Sequence, residues 1–168
     1  MEIREYVQRQ IAAARRLVDA ATKDLTDEQF NWSPPGTVNP IRAIFAHMAT
    51  SEDFYIQTVL QGKPRLWESG GWGEKIGLSA PVGHGRWEEA IATRLDLGPV
   101  REYEAAVRSA TEAYVATITP EELDRQVSFM GGQRPLADVL AMIVVHMLSH
   151  AGEIAALKGV QGVKGLPF

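Results

Sequence analysis

Apolar residues recur at three- and four-residue spacing through positions 136–157, at Leu136, Leu140, Ile143, Met147, Ile154 and Leu157. That period predicts a long helix with one core-facing stripe. His146 and His150 fall on the same face, because residues four apart on a helix lie one above the other. Two imidazoles directed into a core need compensation. A lone inward histidine is satisfied by a carbonyl or carboxylate, but a pair at this spacing also suits one cation shared between them.

A third histidine strengthens the metal reading. His47 lies in a second apolar helical pattern with Ile44, Met48 and Phe54, so three of the four histidines sit on the inward stripes of two helices. Neutral imidazole suits zinc, nickel, copper or ferrous iron rather than calcium or magnesium. Three protein ligands leave one coordination position open, as in catalytic zinc sites. His84, between Gly83 and Gly85, is read as no ligand. Glu153, three residues after His150, is the candidate for a catalytic carboxylate, either bonding the His150 ring or acting as a base. Glu52 is turned away from the His47 direction and is read as solvated.

Other metal and hydrolase schemes lack their motifs. A di-iron bundle needs Glu-x-x-His, whereas Ile44 and Ile143 stand three before His47 and His146. No His-Glu-x-x-His or Gly-x-Ser-x-Gly occurs. The chain has no cysteine, which removes disulfides, thiolate ligands and a cysteine nucleophile. Any sulfur nucleophile must then arrive as a small molecule.

With 168 residues, 45% of them apolar, the chain suits a single domain over 1–168. A net charge of −4 with scattered basic residues gives no nucleic-acid footprint. Arg15 and Arg16 are read as a solvated helix face. A charged N-terminus and apolar runs short of a membrane span predict a cytoplasmic protein with no membrane partner.

Four long helices are predicted. The first covers about 3–23, with Ile3, Val7, Ile11, Ala14, Val18 and Ala21 inward. Thr26 and Gln29 form a capping box, and consecutive prolines at 34–35 make a loop. The second helix runs from about 39, with Pro40 in its first turn, to 61, and Gly62 ends it. The third runs from 98–99 to about 117, with Val100, Tyr103, Val107, Ala110, Tyr114 and Ile118 on one side. The fourth takes 135–158, and the tail from Gly159 is too glycine-rich to be helical. Residues 126–133 are read as a small extended turn, with no convincing strand pair. The 62–98 connection holds eight glycines together with Trp67, Trp72 and Trp87. A link of that length is usually functional or carries short helices of its own, here at 86–95. The fold class is therefore an all-α four-helix bundle.

His47 in an apolar second helix behind Pro-Pro-Gly and Asn-Pro-Ile, then His146-x-x-x-His150-x-x-Glu153 and the ending Gly-Glu-Ile-Ala-Ala-Leu-Lys-Gly, resembles the DinB/YfiT-like superfamily across essentially the whole chain. The resemblance implies a bundle in up-down-down-up order, with the long crossover between helices two and three. It implies a divalent ion, zinc or nickel, held by His47, His146 and His150. It also implies a transferase or isomerase that uses a low-molecular-weight thiol on a small-molecule substrate, commonly as a homodimer. A metal-hydroxide hydrolase and a non-catalytic metal- or ligand-binding bundle are the alternatives.

Overall fold

The computed structural model describes residues 1–83 and 85–166. His84 lies outside the described residues, as do the last two residues of the tail.

Helix α1, Ile3–Thr22, buries Ile11, Ala14, Val18 and Ala21, the stripe expected from the period. Ile3 at its start is exposed. Thr26 opens α2, Asp27–Asn31, with its hydroxyl accepting from the Gln29 amide while the Gln29 side chain accepts from the Thr26 amide. Pro40 caps α3, Ile41–Asp53, which is buried on nearly every side. The second helix does reach the expected end, but its last part, Phe54–Leu60, is wound as a π-helix.

The 62–98 connection carries three short helices: α4, Leu66–Ser69; α5, Trp72–Ile76; and α6, Glu88–Ala92. They are tied down from the long helices. The Asp53 carboxylate, fully buried, accepts from the backbone amides of Leu66 (3.0 Å) and Trp67 (2.9 Å) and from the Tyr103 hydroxyl (2.7 Å). Arg42 donates to the carbonyls of Ala90 and Ile91 at the end of α6 and to that of Asn31 at the end of α2. One buried guanidinium thus satisfies orphan carbonyls of two helix ends.

Helix α7, Leu97–Val115, buries Val100, Tyr103, Val107, Thr111 and Val115. Its stripe turns one residue away from the expected Ala110 and Tyr114. Helix α8 is Pro120–Asp124, capped by Thr119. Residues 126–133, expected as an extended turn without paired strands, belong to an antiparallel hairpin of β1, Gln126–Phe129, and β2, Gly132–Pro135, which also takes in the first residue expected of the fourth helix. Met130 and Gly131 at its tip both have positive φ, as a type I′ turn requires. The chain is therefore mostly helical rather than wholly so.

Helix α9, Leu136–Val160, runs through Gly159, where the sequence suggested the helix had already ended. By length and composition alone it could cross a membrane. It packs instead along α1 and α3, while α7 contacts α1 and α3. Buried apolar side chains from all four form one connected core.

Candidate metal centre

Helix α3 contributes His47, and α9 contributes His146 and His150. The three rings meet although 99 residues separate His47 from His146. His146 Nε2 lies 3.0 Å from His47 Nε2 and 3.1 Å from His150 Nε2. One ligand nitrogen from each lies within 4.8 Å of the others. Nitrogens bound about 2.0–2.1 Å from one cation, at tetrahedral to octahedral angles, stand roughly 2.8–3.4 Å apart. Both close separations fall in that interval. The donor set thus fits a divalent ion in spacing and in chemistry.

Protonation favours the same reading. His47 Nδ1 lies 3.2 Å from the Val82 carbonyl, which can only accept, so the proton sits on Nδ1 and the lone pair on Nε2, the nitrogen that faces His146. Burial holds the His146 imidazole far below its ordinary value, to about 3, and the neighbouring His150 and His47 add to the effect. That ring is neutral at pH 7. Neutral lone pairs crowded together repel unless a proton or a cation lies between them.

Aromatic rings border two of the three histidines. Trp87 packs on His47 with centroids 4.3 Å apart. Tyr55 meets His146 edge-on at 6.0 Å and Phe129 of the hairpin at 5.4 Å. Ser51 Oγ is 3.2 Å from His47 Nδ1. Thr50 donates to the same Val82 carbonyl at 2.6 Å, fixing the loop from the other side. Of the three tryptophans in the 62–98 connection, Trp87 alone contacts a histidine of the cluster among the ring pairs; Trp67 and Trp72 pack on Tyr103.

Glu153 is an exposed side chain whose Oε2 accepts from His150 Nδ1 at 2.7 Å. Glu52 is a correction. It is 4% exposed, paired with Arg15, and accepts from Thr111 at 2.5 Å. Arg15, also read as solvated, is 6% exposed and reaches Glu104 at 3.1 Å as well. Ser51 and Tyr55 went unread in the sequence, although their positions four and eight after His47 put them along its line. Val82 acts through its backbone and leaves no side-chain signal.

The amino-acid sequence matches the DinB superfamily over residues 10–154, most of the chain. The protein belongs to the DinB superfamily. A crystal structure of a conserved protein from Enterococcus faecalis has the same fold as this DinB chain, with a TM-score of 0.80 over 96% of this chain and 99% of that one, at 20% identity. No curated protein matches this DinB sequence.

Proposed function

We propose that this chain is a divalent-metal-dependent enzyme, with zinc or nickel held by His47, His146 and His150, that transfers a low-molecular-weight thiol to a small electrophile. The observation that carries the reading is the meeting of three imidazoles beside an aromatic wall, in a chain with no cysteine. A cation bound there acidifies a thiol or a water that coordinates it. The Val82 carbonyl and the Glu153 carboxylate hold two of the rings with Nε2 toward the cluster. Trp87, Tyr55 and Phe129 exclude water and offer apolar surface to the electrophile.

Two architectural points belong to the same reading. The four long helices are taken as an up-down-down-up bundle, since the long 62–98 connection allows the second and third, α3 and α7, to run parallel where they pack together. A homodimer is favoured by an exposed apolar face, where Ile3 and Tyr6 of α1 and Val145 and Leu148 of α9 reach solvent.

Thiol consumption with a generic alkylating electrophile, on zinc- and nickel-loaded protein, tests the activity. Turnover that requires both metal and thiol is the expected result. Failure with every cellular thiol overturns the transferase assignment. Thiol-independent ester cleavage rising with pH through about 7 would instead mark a hydrolase.

A further inference from the structure

We infer that Glu153 is a positioning residue that sets the affinity of the cluster for its cation by orienting His150. The inference rests on the metal reading above. An ionised carboxylate accepts and cannot donate. The 2.7 Å contact to Nδ1 therefore places the proton of His150 on that nitrogen and leaves the lone pair on Nε2, which lies 3.1 Å from His146 Nε2. The two ring nitrogens point to opposite edges of the imidazole. Glu153 accordingly stands behind the ring, on the side away from the cluster, and is not placed to take a proton from a substrate in front of it.

Helix geometry makes the contact local. Glu153 follows His150 by three on α9, so its side chain reaches back over the preceding turn. The carboxylate is 55% exposed and the His150 side chain 15% exposed, so the charge stays hydrated while the ring is held. His47 obtains the same orientation from the Val82 backbone carbonyl, with Ser51 Oγ also 3.2 Å from that nitrogen. Glu153 is thus a side chain through which the orientation of His150 can be altered without touching a ligand. Partners of this kind typically govern metal affinity by about 10- to 100-fold.

Competition for zinc against a chromophoric chelator, on wild type, Glu153→Ala and Glu153→Gln, tests this. The wild type should bind one zinc per chain, and Glu153→Ala should bind it at least about tenfold more weakly. Glu153→Gln should recover most of that loss, because its amide oxygen still accepts from Nδ1. The electronic spectrum of the cobalt-substituted protein should change in Glu153→Ala and return toward wild type in Glu153→Gln. Metal-free thermal midpoints should match throughout. Equal affinity in Glu153→Ala overturns the inference while leaving the metal site standing, and so does a Glu153→Gln variant as weak as Glu153→Ala. A wild type that takes up no zinc overturns both.

Discussion

The indole of Trp87 lies against the imidazole of His47, ring centroids 4.3 Å apart and planes inclined by 39°. A cation on His47 Nε2 would sit within a few ångströms of that indole. Nickel or copper binding should therefore quench part of the tryptophan emission. In Trp87→Phe the quenching should be largely lost, although Trp32, Trp67 and Trp72 remain. An undiminished response in the variant would place the ion elsewhere.

Gly83 approaches the same ring from the loop side. Its φ is +141°, and a Cβ there would lie 3.2 Å from His47 Nδ1 and 3.8 Å from Ser51 Oγ. Gly83→Ala meets both backbone strain, on the order of 1–3 kcal/mol, and a displaced His47. Calorimetry should show a lower Tm, and zinc titration a weaker site. A variant with both values unchanged would mean that the Val82–Gly83 backbone does not hold His47.

Arg15 and Glu52 form a buried ion pair between α1 and α3, with Thr111 and Glu104 completing it from α7. Removing one member strands the other in a poorly solvated place. Arg15→Met should cost about 3–5 kcal/mol in chemical denaturation. Adding Glu52→Gln to it should return part of the loss, with a coupling of roughly 1–3 kcal/mol. Strict additivity of the two substitutions would contradict the pairing.

What could be read beforehand follows from what is local. The helical period placed α1, α3, α7 and α9, and the four-residue spacing put His146 and His150 on one face without any tertiary information. His47 could be suspected only because it too lay on an inward stripe. The burial of Glu52 was hidden because its partner, Arg15, lies 37 residues earlier. The hairpin was hidden for a different reason: its second strand, Gly-Gln-Arg-Pro, buries no apolar side chain, and its turn is Met-Gly rather than the usual Asn-Gly. The π-wound Phe54–Leu60 continues the apolar run of α3 with no glycine or proline to mark the change.

Lys158 and Asp24 give the fold an acid sensitivity. The ammonium of Lys158 is buried and reaches Asp24 at 2.6 Å and the Ala21 carbonyl at 3.2 Å. The hydrogen bond from Lys158 draws the Asp24 carboxyl below its ordinary value of 3.8. A depressed carboxyl stabilises the fold above its unfolded value, and that contribution is lost as pH falls through the folded one. Asp24→Asn should lower stability at pH 7 by about 1 kcal/mol, since Asp24 itself is half-exposed. Thermal melts of variant and wild type should begin to converge as pH falls below 3.8, the ordinary value. A difference that persists undiminished at pH 2.5 would deny the ion pair its role.

Metal content bears most directly on the central claim. Protein prepared without an affinity tag, dialysed against micromolar zinc and analysed for its elements, should retain one ion per chain. His146→Ala should retain none, because His146 is the ring that touches both of the others. A wild type that emerges empty, or a His146→Ala variant carrying the same single ion, would contradict the account.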